Sequence, residues 1–283
     1  MAKTQITIVD IAKELNISTS TVSRALRNHP DISKKTIVAV QACAKQLNYQ
    51  PNAMALNLRT GKNNTIGVIV PEIVHYFFSS IVQGIEEIAS SEGFNLMLFR
   101  SEESYDKELK ITNSLINARV AGVLASLSKE TDSYDHYQQI LDNNIQLVFY
   151  DRICIGITTD RVVVDDYAGA MTAVKHLIDT GCKRIAFYSS PTHLEISKNR
   201  RNGYLDALRK HNLPVDESLM FVCDTREQAM KLTPEVLVLP NPPDAFFAIN
   251  DHTATGILYA VKQAGLRVPD DISICGFSGG DLA

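Results

Sequence analysis

The chain has 283 residues, 45% apolar and 21% charged, with a formal net charge of −4, which is ordinary for globular protein and leaves room for one small and one or two ordinary domains. No apolar run nears the ~20 residues that cross a bilayer. The start MAKTQITIVDIAKEL has no unbroken apolar stretch and no small-residue cleavage site, so membrane insertion and export are not expected. The charge is unevenly placed. Residues 1–62 carry nine Lys/Arg against three Asp/Glu, near +6, and the remainder is near −10. A basic head on an acidic body points to a head that meets a polyanion, DNA above all. The five cysteines (Cys43, Cys154, Cys182, Cys223, Cys275) are far apart with no CxxC, which favours reduced, buried thiols over a disulfide framework or a zinc knot.

In chain order, Thr7 and Asp10 have the spacing of a capping box, and Ile8, Ile11, Ala12 and Leu15 follow a helical stripe. Asn16-Ile17 reads as a tight turn. Ser18 caps a second helix, Thr19 to Arg27, with Val22, Ala25 and Leu26 inward and Thr19, Ser20, Ser23 and Arg24 outward. Asn28-His29-Pro30 ends it. Ser33 caps a third helix running to about Asn48, striped by Ile37, Val40, Ala44 and Leu47. Two short helices braced by a third form a helix-turn-helix unit, whose second helix can enter the major groove. Thr19 and Ser20 can sit against base edges and Arg24 can fork onto guanine. By pattern alone, a solvated face that meets another protein remains open. Residues 52–58, apolar and helix-capable yet too short to be stable alone, read equally as a helix formed on DNA or as a short structural helix.

The strings Ile8-Val9-Asp10-Ile11-Ala12, Ser18-Thr19-Ser20-Thr21-Val22-Ser23-Arg24-Ala25-Leu26 and Leu47-Asn48-Tyr49-Gln50-Pro51-Asn52 closely resemble the head of the lactose-repressor (LacI/GalR) family of bacterial transcription regulators. The resemblance implies a DNA-binding set of Thr7, Ser18, Thr19, Ser20, Thr21, Ser23 and Arg24, with Thr19, Ser20 and Arg24 at the base-reading positions. It also implies a hinge helix at about 52–59 that contributes Asn52, Ala55, Leu58 and Arg59, with Leu58 at the position that levers open the central base step from the minor groove.

Beyond residue 62, short apolar runs alternate with amphipathic helical stretches. Strands are expected at Ile66–Val70, Asn95–Phe99, Val120–Ala125, Gln146–Tyr150, Arg184–Ser189, Leu219–Val222, Val236–Leu239, Ala245–Ile249 and Ile272–Phe277. Helices are expected at Phe78–Ser91, Asp106–Ala118, Tyr167–Thr180, Ser197–His211 and His252–Ala264. Runs this apolar, spaced by helices, imply parallel sheets covered on both faces. The fold class expected is therefore α/β: an all-α helix-turn-helix head with hinge helix (1–62), then a periplasmic-binding-protein-like body of two Rossmann-like parallel-sheet subdomains (63–161 and 162–283). Ligands of such sheets bind at the carboxyl ends of the strands. That rule singles out the stretch Pro71 to Phe78, Arg100-Ser101-Glu102, Asp151-Arg152, Asp165-Asp166, Arg200 and Asn250-Asp251.

The segments Arg200-Arg201-Asn202-Gly203-Tyr204-Leu205-Asp206-Ala207-Leu208, Asn250-Asp251-x-x-Ala254-x-Gly256 and Gly265 to Phe277 resemble further LacI/GalR strings. The resemblance implies aromatic or apolar walls at Phe77 and Phe78 and effector contacts at Arg200 and Asp251. The full candidate set is Phe77, Phe78, Ser101, Asp151, Arg152, Arg200, Asn250 and Asp251. An arginine fork, a carboxylate and an aromatic wall suit a sugar's hydroxyls and ring face. Asn250 and Asp251 also suit the cap of the helix that follows. Adjacent Asp165 and Asp166 point apart and do not make a catalytic pair. No GxxxxGK[ST], GxGxxG or HExxH string is present, so no catalytic residue, cofactor or metal is expected.

The family's chain continues past its Gly-Phe string, whereas this one stops at Ala283 and reads as C-terminally truncated. Ser278-Gly279-Gly280 stands where the family commonly has an acidic residue, so no ligand contact is carried onto that turn. The expected protein is a cytoplasmic homodimer, not an enzyme, that binds a near-palindromic operator in double-stranded DNA. A small effector, a sugar or sugar derivative, would control it from the body cleft. A nucleobase corepressor is the alternative within the family. A sugar-binding transport protein is the rival of another class, disfavoured by the basic head.

Overall fold

The computed structural model describes residues 6–49, 63–73 and 76–279. The head is three helices, α1 (Ile8–Glu14), α2 (Thr19–Ala25) and α3 (Lys34–Gln46). Each start is built as its sequence suggests. The Asp10 carboxylate accepts from the Thr7 N–H (2.8 Å) and hydroxyl (2.7 Å). The Ser18 and Ser33 hydroxyls accept from the N–H groups of Thr21 and Thr36, each at 3.1 Å. Each helix closes on an asparagine in the left-handed region, Asn16, Asn28 and Asn48, a conformation asparagine tolerates better than most residues. Asn48 therefore lies two residues beyond the end of α3. Ile11, Val22, Ala25 and Val40 are fully buried among the three helices.

The body holds two parallel sheets. The first, in spatial order β2-β1-β3-β4-β5, comprises β1 (Thr65–Val70), β2 (Asn95–Arg100), β3 (Gly122–Ala125), β4 (Gln146–Tyr150) and β5 (Asp160–Val162). Its connecting helices are α4 (Tyr76–Ser91), α5 (Tyr105–Ala118) and α6 (Asp135–Asp142). The second, in order β7-β6-β8-β9, comprises β6 (Ile185–Ser189), β7 (Met220–Val222), β8 (Ala245–Ala248) and β9 (Ser273–Cys275). Its helices are α7 (Asp166–Asp179), α8 (Glu195–Lys210), α9 (Arg226–Leu237) and α10 (Asp251–Gln263). All recorded pairings are parallel, for instance Val68 beside Leu98 and Leu124, and Phe187 beside Met220 and Phe247. In each sheet the order reverses beside the first strand, between β1 and β3 and between β6 and β8. Such a switch point opens a crevice at the strands' carboxyl ends.

The central strands β6 and β8 are buried at every position, as their unbroken apolar runs require. Phe187 stacks between Tyr204 (5.1 Å) and Phe247 (5.2 Å) on one face, while Tyr188 meets Phe246 edge-on at 5.4 Å on the other. In the first sheet, Ile69, Leu115, Tyr137, Ile140 and Phe149 form the core. Two motif glycines have packing roles. A Cβ at Gly203 would strike the Tyr167 carbonyl, and one at Gly256 the Arg226 carbonyl. Glycine there lets α8 cross α7, and α10 cross α9, at backbone contact.

One expectation needs correction. Val236–Leu239 is not a strand, because Val236 and Leu237 finish α9. Thr225 accepts from the Gln228 N–H (3.2 Å) while Gln228 accepts from the Thr225 N–H (3.3 Å). This capping box starts a helix whose buried stripe is Ala229, Thr233 and Val236, and the apolar run is the end of that stripe. The strand Asp160–Val162 and the helices α6 and α9 had not been expected. β5 pairs with β4 through Val148–Asp160, Phe149–Arg161 and Tyr150–Val162, and α7 of the second sheet opens at Asp166.

Candidate functional sites of the head and the body

In the head, α2 presents Thr19, Ser20 and Arg24 to solvent, while Val22 and Ala25 face the core. The Ser18 hydroxyl lies 2.8 Å from both the Ser20 and Thr21 hydroxyls. Ser18 is thus the cap that orients the helix start, and Ser20 is held beside it. Arg27 donates to the Ser23 carbonyl (3.0 Å) and hydroxyl (3.3 Å), so Ser23 is engaged within its own helix. Thr7 is tied to Asp10, whose carboxyl the Thr7 hydroxyl holds below the usual range. The expected set thus divides into side chains exposed on α2 (Thr19, Ser20, Arg24) and groups engaged in the helices' own starts and turns (Thr7, Ser18, Thr21, Ser23). Asn52, Ala55, Leu58 and Arg59 lie outside the described residues.

In the body, the carboxyl ends of both sheets supply the charges. Asp151 follows β4 in the left-handed region (φ 56°), with its neighbour Arg152 more than nine-tenths buried. Arg152 lies 5.8 Å from the centre of the buried Phe78 ring. It donates to Glu103 (2.6 Å) and to the Leu127 carbonyl (3.2 Å). Burial opposes its charge, but Glu103, Asp151 and Asp224 together outweigh it and lift its pKa. Across the cleft, Arg200 of α8 donates through Nε to Asp166 at 2.8 Å and through Nη1 to the Ile249 carbonyl. Its guanidinium carbon lies over the Phe277 ring, 3.7 Å from the centre, a cation–π contact. Burial outweighs the attraction between Arg200 and Asp166, pushing the arginine's pKa down and the carboxyl's up. Burial also raises Asp151, against the pull of Arg152 and Arg200. Two buried arginines, each beside an aromatic ring, with a desolvated carboxylate at the end of β4, can exchange hydrogen bonds with hydroxyl groups and pack a ring face.

The other expected residues divide. Phe78 is buried and Phe77 half-buried, their rings edge to face at 5.2 Å. Ser101 is fully buried beneath the strand ends and bonded to the Ser128 hydroxyl at 2.7 Å. Asn250 is the cap of α10: its oxygen accepts from Thr253 (2.8 Å) and its amide donates to the Asp224 carbonyl (3.2 Å). Asp251 opens α10 with its carboxylate against Gly276. Sequence reasoning missed Glu103, Lys129, Asp224 and Phe277. All four lie two to four residues past the ends of strands β2, β3, β7 and β9, so the strand-end rule extended a few residues beyond every strand would have found them. It also missed a buried anchor. Glu108 accepts from the Ser128 N–H and hydroxyl and from the Thr131 hydroxyl, each at 2.7 Å, and lies 2.9 Å from His136. Among the described residues no cluster of His, Cys, Asp or Glu could hold a metal, and no helix is long and apolar enough to cross a membrane.

A helix-turn-helix head joined to a body of paired parallel sheets corresponds to two known families. Residues 7–52 match the family described as "Bacterial regulatory proteins, lacI family". Residues 63–279 match "Periplasmic binding proteins and sugar binding domain of LacI family". The chain belongs to the LacI family. This LacI-family chain is 32% identical over 274 residues to catabolite control protein A of Priestia megaterium, covering 96% of this chain and 82% of that one. It is 32% identical over 281 residues to the HTH-type transcriptional repressor CytR of Escherichia coli (strain K12), covering 99% and 82%. The solved transcriptional regulator CelR in complex with cellobiose superposes with a TM-score of 0.71 at 27% identity, over 99% of this chain and 84% of that chain. As a LacI-family member the protein is a DNA-binding transcription regulator with an effector-binding body, and it is not an enzyme.

Proposed function

We propose that this regulator is a cytoplasmic homodimeric repressor that binds a near-palindromic operator and is controlled by a sugar or sugar derivative in the body cleft. The observation that carries the effector class is the pair of buried arginines at the strand ends, Arg152 beside Phe78 and Arg200 over Phe277, with the Asp151 carboxylate at the end of β4. Charged donors and an acceptor suit hydroxyls, and the two rings suit the apolar face of a pyranose or furanose. The sugar-binding family match and the cellobiose held by CelR support the same class, and the repressor CytR supports the direction. A dimer follows from the head, since one recognition helix reads only a few base pairs and half-sites repeat with the helical turn. Arg24, Thr19 and Ser20 read bases, and the 52–59 segment meets the minor groove.

The test is fluorescence-anisotropy titration of the full chain with the palindrome from its own promoter and with a scrambled duplex, repeated with a panel of mono- and disaccharides and with purines. Salt-dependent preference for the palindrome, weakened by one sugar, is the expected result. Equal binding to both duplexes would defeat the operator reading. Response to a purine alone would replace the sugar with a nucleobase.

A further inference from the structure

A chain of charges runs from the loops of the first sheet to those of the second, and Arg152 is its one member among the expected effector residues. Arg152 Nη1 donates to Glu103 Oε2 at 2.6 Å. The same oxygen accepts from the Lys129 N–H at 2.8 Å, and the other lies 4.0 Å from Lys129 Nζ. Lys129 Nζ then lies 2.9 Å from Asp224 Oδ2 across the cleft, with side-chain exposures of 22% and 7%. Three of the four residues follow β2, β3 and β4, and Asp224 follows β7.

Both ends are fixed in place before they meet. The Glu108 network pins Ser128 and Thr131, on either side of Lys129. Asp224 donates its N–H to Gln228 (3.0 Å), and its carbonyl accepts from Asn250 (3.2 Å). An exposed ion pair between mobile side chains contributes little. A shielded pair on pinned backbone loses less to entropy and screening, and truncating one partner leaves a buried charge uncompensated. A 2.9 Å contact between two sheets also exists only at one spacing of those sheets, so its energy favours that spacing over any opened one.

We propose that Lys129 and Asp224 are the latch of the cleft: their ion pair sets the closed spacing of the two subdomains, with Glu103 and Arg152 holding Lys129 in line and Glu108 positioning its loop. Part of the work of closing around an effector is then built into the chain.

The test is hydrogen–deuterium exchange of the full chain, read in segments 126–131 and 224–228, for the native protein, Lys129→Met, Asp224→Asn, the double variant and Lys129→Arg. Each single neutral variant should speed exchange there by roughly threefold or more, and the double variant should add nothing further. Lys129→Arg should stay close to native. Exchange in strand Ile185–Ser189 should be unchanged throughout, which shows the fold intact. Independent, multiplying effects of the two single substitutions, or equal loosening by Lys129→Arg and Lys129→Met, would overturn the latch. The measurement needs no effector, so its failure is separable from failure of the sugar reading.

Discussion

Arg200 places Nε and Nη2 each 2.8 Å from one oxygen of Asp166 while its Nη1 binds the Ile249 carbonyl. The arginine therefore staples α7 and the end of β8 together before it touches any ligand. Removing one partner of a buried pair costs about 3–5 kcal/mol, because the other charge is left uncompensated. Arg200→Ala should lower the body's melting temperature and abolish the effector response. Adding Asp166→Asn should restore part of the melting temperature and none of the response. Recovery of both would reduce Arg200 to a structural role.

Asp151→Asn separates stability from binding by pH. Burial raises the folded pKa of Asp151 above its ordinary value, so its ionised form costs stability at neutral pH. That cost fades as pH falls through the folded pKa toward the unfolded one. The variant should melt higher than the native chain at pH 7, and the gap should close in the acid range. It should also lose its effector response. Thermal scans across pH, paired with operator titration, check both parts.

Asn250→Ala and Asp251→Ala should differ, although the residues are adjacent. Asn250 caps α10 through Thr253, and losing such a cap costs about 1 kcal/mol. Asp251→Ala should leave the melting temperature nearer native, abolish the effector response and spare operator binding. A normal response in Asp251→Ala would remove the residue from the effector site.

Arg24→Ala should weaken operator binding by roughly 1–3 kcal/mol and relax specificity at one symmetric base pair. Arg24 is exposed on α2 with its neighbours Val22 and Ala25 in the core, so the fold should survive. Uniform weakening over all sequences would make it a phosphate contact.

Leu58→Ala should weaken binding to the palindrome while leaving the melting temperature unchanged, as expected for a side chain that wedges between base steps. Native affinity in that variant would remove Leu58 from the interface.

How much the residues announce by themselves differs from element to element. The head was legible because its rules are local. Thr7, Ser18 and Ser33 cap, Asn16 and Asn28 turn, and a stripe such as Val22 and Ala25 faces inward, all within a few residues of chain. Strands β6 and β8 were legible because a strand covered on both faces must be apolar throughout. Val236–Leu239 misled for the same reason, since a short apolar run suits a strand and a helix end alike, and Thr225 with Gln228 decided for the helix. The exposed strand Asp160–Val162 has no apolar face to announce it, and only pairing with β4 makes it a strand. A motif string named Arg200 and the strand-end rule named Asp151, but which acid neutralises which base depends on contacts between residues far apart in sequence: Arg152 with Glu103, Arg200 with Asp166, Lys129 with Asp224. Local sequence determined the elements and the chemical types at their ends. Only the tertiary structure, by bringing the carboxyl ends of the two sheets together, decided which charges are paired, buried or left facing the cleft.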